Sequence, residues 1–291
     1  MGENNPDREK GVALSRLFGK KGVGLITRLS ARTLVVLYLG AVVFLPVGMV
    51  FFKAMSDGLG ALWDALTNEE ALYAFRLTFI SAGVVTVLNA ILGTIAAYAL
   101  VRFKFPGRKI LDSLIDLPFA IPTSVIGLTL ASILGPKSPV GSYLKSIGWD
   151  ILYQPSAIYI AFMVVTLPFV IRSIEPLLYS LDPAEEEAAL TLGATPMRTF
   201  FSIIFPVIRP GLLSGAVLTF ARCLGEFGAV VFVAGTEPFH TEVASTYIFS
   251  RIEQFDFRGG AAASVVVLTV SYVLLWGLRF LELPSKRRHP S

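Results

Sequence analysis

Six stretches of the chain are long and apolar enough to be membrane-spanning helices: residues 33–52, 75–101, 110–134, 155–178, 207–235 and 261–283. About 20 helical residues cross a bilayer core about 30 Å thick, and a backbone in lipid must satisfy its own hydrogen bonds. The expected fold class is therefore all-α integral membrane, with six transmembrane helices. Composition agrees, since 54% of the 291 residues are hydrophobic and 16% charged, against about a quarter charged in soluble domains. The lipid bilayer is the main solvent, and one polytopic domain over 33–283 uses nearly the whole length.

The flanks set orientation. Residues 1–32 carry Arg8, Lys10, Arg16, Lys20, Lys21, Arg28 and Arg32 without the short apolar core and cleavage site of a signal peptide. They read as a basic topogenic tail, with an interfacial amphipathic helix over 14–29 as the other reading. Basic residues also crowd the loop from Arg102 to Lys109 and the tail at 284–291, and short basic loops stay cytoplasmic. Both termini and the 179–206 loop are thus expected on the cytoplasmic side. Pro46, Pro118, Pro122 and Pro168 should kink or break their helices, and no inverted repeat of the secondary-transporter kind stands out. Cys223 reads as a packing residue. His240 and His289 lack metal-ligand spacing, so no metal site is expected.

The 179–206 loop is polar between apolar neighbours and strongly signposted. Asp182 suits an N-cap, Pro183 the first helical position and Glu185 the third. Glu185, Glu186 and Glu187 load the first turn with negative charge, as the helix dipole favours. Gly193 supplies a stop, and Thr195-Pro196 begins a second short helix running to Pro206.

Glu187-Ala188-Ala189, three residues, Gly193, nine residues, Ile203 and Pro206 resemble the EAA motif of the permease subunits of bacterial ABC importers. Phe205 replaces the usual Leu. The resemblance implies coupling helices that dock on ATP-binding subunits, with Glu187, Ala188, Ala189 and Gly193 as the contact. The chain has no phosphate-binding loop of the form G-x-x-x-x-G-K-[ST], so ATP hydrolysis is assigned to a partner. The chain itself is expected to be no enzyme, with no catalytic residue and no cofactor.

In the fifth span Arg222 and Glu226 stand four residues apart. Charges at that depth are paired or face a polar cavity. One reading is a structural ion pair; the other is an anion path in which the forked Arg222 donors meet an oxyanion. The surrounding Phe220-Ala-Arg222 and Gly225-Glu226-Phe227-Gly228 resemble the sulfate and molybdate permeases. Leu117-Pro-Phe-Ala-Ile-Pro-Thr123, Leu167-Pro-Phe-Val-Ile-Arg172 and Ile252-Glu-Gln-Phe-Asp256 resemble the sulfate branch, most closely its T-type subunits. Glu-Phe after Gly225 also resembles the sister W-type. Arg222, Glu226, Gly225 and Arg172 are the candidate substrate-path residues. Arg172 and Glu175 form a second charge cluster, for which positioning of the coupling loop and contact with substrate both stand.

The resemblance implies a permease subunit of an ATP-driven sulfate or thiosulfate importer. It implies two ATPase subunits, a second homologous permease and an extracytoplasmic sulfate-binding protein as partners, and no nucleic acid. A molybdate or tungstate importer is the alternative within the class, and an ATP-independent secondary transporter is the alternative outside it.

Overall fold

The computed structural model describes the backbone of residues 20–282 and the side chains of residues 32–278. The tail at 284–291 and most of the tail at 1–32 lie outside the described residues. The chain divides into two units, residues 1–52 and 53–291. Among the described residues the first unit consists of helix α1, Lys20–Met55; its stretch Arg32–Met55 has a mean hydropathy of 2.6, enough to span.

In the second unit, α2 (Gly58–Thr67) leads into α3 (Glu69–Arg102). Then come α4 (Arg108–Ile115), α5 (Leu117–Ala120), α6 (Thr123–Leu134) and α7 (Pro139–Ser146). Helix α8 (Pro155–Ser180) is followed by the short α9 (Pro183–Thr191) and α10 (Pro196–Thr199). A π turn, Phe200–Ile204, joins α10 to α11 (Phe205–Leu224). The chain closes with α12 (Gly228–Val233), α13 (Ala244–Glu253) and α14 (Phe257–Glu282). No strand occurs among the described residues.

Among the described residues five helices are long and apolar enough to span, and a bent helix pair makes a sixth where it is counted as one span. Residues expected to cross as one helix over 110–134 instead form Arg108–Ala120 and Thr123–Leu134, bent by 117°. The sequence contains the cause. Pro118 and Pro122 remove two donors, Ile121 is extended, and Pro122 forces a restart at Thr123. The expected span over 207–235 also ends early, at Leu224, where Gly225 breaks the helix before α12.

Helix α8 sits at the centre, buried by α3 and α11. Its Ile158, Phe162, Val170, Ile171, Ile174 and Leu178 are inaccessible. Close approach depends on small residues: a Cβ on Gly215 would lie 2.8 Å from the Val170 Cα, and one on Gly211 2.3 Å from the Ser173 carbonyl oxygen. One polar thread crosses the three helices. Asn89 Nδ2 donates to the Thr166 hydroxyl at 2.8 Å and the Met163 carbonyl at 3.2 Å, and the Thr219 hydroxyl reaches the Thr166 carbonyl. Such bonds contribute about 0.6 kcal/mol each in membrane helices.

The π turn has a chemical origin. Pro206 and Pro210 have no N–H to give the carbonyls one turn earlier, and the Phe205 N–H instead bonds the Phe200 carbonyl, five residues back. Helicity persists, so Pro196–Leu224 is a single span. The turns around α9 lie at one end of the bundle; Arg222 lies at the other end of that span.

Candidate functional site

Two sites stand at opposite ends of the Pro196–Leu224 span. The first is α9. Asp182 Oδ1 accepts the Ala184 N–H at 2.9 Å, so the N-cap forms as expected, through an Asx-type bond rather than a full capping box. At the other end Gly193 adopts φ +82°; its N–H bonds the Leu190 carbonyl and the Ala194 N–H the Ala189 carbonyl, both at 3.0 Å. That is a Schellman stop, and the left-handed backbone explains the glycine. Thr195 then caps α10 through the Arg198 N–H.

This helix shows its contents to the outside. Glu187, Ala188 and Gly193 are exposed and Ala189 half-buried. Leu192 is 90% exposed and Met197 69%, so large apolar side chains stand open beside the motif. Glu186 alone in α9 is buried, paired with Arg102 at 2.6 Å.

The second site is the break after α11. Arg222 Nη2 meets Glu226 Oε2 at 2.6 Å, with Glu226 fully buried and the arginine about one-third exposed. The other Glu226 oxygen accepts the Ala229 N–H at 2.8 Å, and the Ser245 hydroxyl donates to the Glu226 carbonyl at 2.6 Å. The buried carboxylate thus lies against the guanidinium, which keeps about a third of its surface accessible. Beside them opens a cavity of about 620 Å³ whose lining includes Arg222, Gly225, Phe227, Phe249, Thr123 and Ser124. Thr123 and Ser124 begin α6 without a side-chain cap, and the first N–H groups of a helix have no intrahelical partner. Gly228 lets them approach, because a Cβ there would lie 2.4 Å from the Thr123 hydroxyl and 2.8 Å from the Ser124 nitrogen. Arginine donors, hydroxyls and helix-start amides are the chemistry that binds small oxyanions.

Residues 89–283 match the family described as binding-protein-dependent transport system inner membrane component. The chain belongs to that family. It is thus an integral membrane permease subunit of the inner membrane, not an enzyme, and it works with the partners of an ABC importer. Among its relatives, the sulfate transport system permease protein CysT of Salmonella typhimurium is 38% identical over 252 residues, covering 87% of this chain and 91% of the relative. The protein of the same description from Synechococcus elongatus is 40% identical over 250 residues, covering 86% and 90%. A solved bacterial ABC transporter that imports the acidic polysaccharide alginate shares the fold, with a TM-score of 0.73 at 19% identity over 94% of this chain and 100% of that one.

Arg172 lies away from the Arg222 cavity of this permease, on α8 facing α4 and α5. Its Nε and Nη2 donate to the two Asp116 oxygens at 2.7 and 2.8 Å, and its Nη1 pairs with Asp112 at 2.8 Å and Glu175 at 2.5 Å. Three carboxylates surround one guanidinium. Sequence reasoning paired Arg172 with Glu175 alone, because the two aspartates lie 56 and 60 residues earlier. It also assigned no role to Thr123 and Ser124, although the Pro122-Thr123 break was a visible signal.

Proposed function

We propose that this permease forms the anion path of an ATP-driven importer for sulfate or thiosulfate. The near full-length similarity to sulfate permeases supports the substrate class. Two ATPase subunits, a second homologous permease and an extracytoplasmic binding protein complete the machine, with both termini and α9 on the cytoplasmic side. The basic loop from Arg102 to Arg108, at the same end of the bundle as α9, supports that orientation.

One observation carries the reading: the continuous span Pro196–Leu224, about 43 Å of helix at 1.5 Å per residue, has the exposed coupling surface at one end and Arg222 at the other. Glu187, Ala188, Ala189 and Gly193 form the ATPase contact. Arg222 meets the anion, Glu226 orients Arg222, and Gly225 opens the helix beside them. Because Glu226 already neutralises Arg222, a divalent anion is bound weakly enough to leave, as conduction requires. Arg172, enclosed by carboxylates, braces α4 and α5 against α8; of the two roles open to it, its charge environment supports this one. Conformational bias comes from the partners, since ATP-driven closure must favour one membrane state over the other.

The test is Arg222→Ala in the assembled complex. ATP-driven sulfate uptake in proteoliposomes should disappear while all subunits still co-purify. Normal uptake would remove Arg222 from the path, and loss of the assembled complex would make the pair structural.

A further inference from the structure

Of the motif residues of α9, Glu187 and Ala188 are exposed and Ala189 is half-buried; the residue that turns into the bundle is Glu186. It is the one buried residue of α9, 8% exposed. Its Oε1 accepts the Arg102 Nε–H at 2.8 Å and lies 2.6 Å from Arg102 Nη2, while Oε2 accepts the Tyr98 hydroxyl proton at 3.0 Å. Arg102 Nη2 also donates to the Leu181 carbonyl at 3.1 Å. Arg102 is the last residue of α3 and Leu181 follows the end of α8. One guanidinium therefore joins the ends of two central helices to the first turn of α9.

The choice of chemistry is informative. An apolar anchor stabilises at least as well as a buried ion pair, but it lets a short helix roll. A forked arginine on a carboxylate fixes direction as well as distance. A helix of nine residues has little stability of its own, so its orientation is the one this clamp imposes.

We infer that Glu186, with Arg102 and Tyr98, is the positioning clamp that makes α9 move as one body with α3, so that displacement of α9 reaches the bundle through α3 as well as through α11. The inference rests on α9 being the ATPase contact. It makes Glu186, rather than the neighbouring motif residue Glu187, the point at which force enters α3.

The experiment uses the whole complex in proteoliposomes and reads two quantities, ATP hydrolysed and sulfate moved. Glu186→Leu combined with Arg102→Met removes both charges and leaves neither unpaired. The expected result is an assembled complex that still hydrolyses ATP but moves about five- to tenfold less sulfate per ATP. Tyr98→Phe, which keeps the ring and loses one hydrogen bond, should lower the same ratio about twofold, and should add nothing in the double-variant background, because the three residues act as a unit. A double variant that assembles and transports at the normal ratio overturns the clamp. If it does not assemble, an unchanged ratio in Tyr98→Phe overturns it instead. Failure of the unaltered permease to bind any ATPase would sink the coupling role of α9 itself, a separate result.

Discussion

At the scale of single residues, three consecutive glutamates show what a sequence can and cannot tell. Glu185, Glu186 and Glu187 are chemically identical, and motif spacing drew attention to Glu187. Which of them faces inward is decided by where Arg102 lies, 84 residues earlier, and no local pattern records that. Gly193 is the opposite case: a glycine after a capped run signals a left-handed stop, and φ +82° is what that stop requires. Gly193→Val forces a β-branched residue into that backbone at about 1–3 kcal/mol; less ATPase should co-purify and ATP-driven uptake should fall, while the isolated permease still folds. Gly228→Ala places a methyl against Thr123 and Ser124. Overpacking of that kind costs about 1–3 kcal/mol, so the permease in detergent should melt several degrees lower and its sulfate affinity should drop.

Among the elements, the all-α class with its long apolar helices was legible because twenty apolar residues in a row admit few structures; α3, α8 and α14 run over Glu69–Arg102, Pro155–Ser180 and Phe257–Glu282. The breaks were less so. Prolines at 118 and 122 announced the break but not the packing of α6 on α12, where a Cβ on Gly127 would lie 2.7 Å from the Ala229 Cα. The Arg172 brace belongs to this scale, since it binds α4 and α5 to α8. Lysine keeps the charge but lacks the fork, so Arg172→Lys should lower the melting temperature and leave sulfate affinity alone; a loss of affinity would return Arg172 to the anion path. At the other end of the bundle, Arg251 pairs with Glu70 and lies over the Tyr247 ring, and Ser250 donates to Glu242 at 2.8 Å. Burial first, and then Glu70, push the Glu242 carboxyl above its ordinary value, against the pull of Ser250 and Arg251. A raised carboxyl favours the folded state while protonated. This contribution is complete below the ordinary carboxylate value and fades as pH rises through the raised one. The melting temperature of the permease should thus fall with rising pH across that window, and Glu242→Gln should flatten the trend.

Across the whole molecule, the proposed function makes the permease a converter with its input at α9 and its cargo site beside Arg222. The Pro196–Leu224 span joins the two, and the Glu186 clamp gives the input a second route into the bundle. The most direct test is labelled sulfate uptake into proteoliposomes holding either the full complex with its binding protein or this permease alone, each with and without ATP. The complex should take up sulfate only with ATP, and the permease alone should take up none. Uptake by the permease alone without ATP would contradict the account.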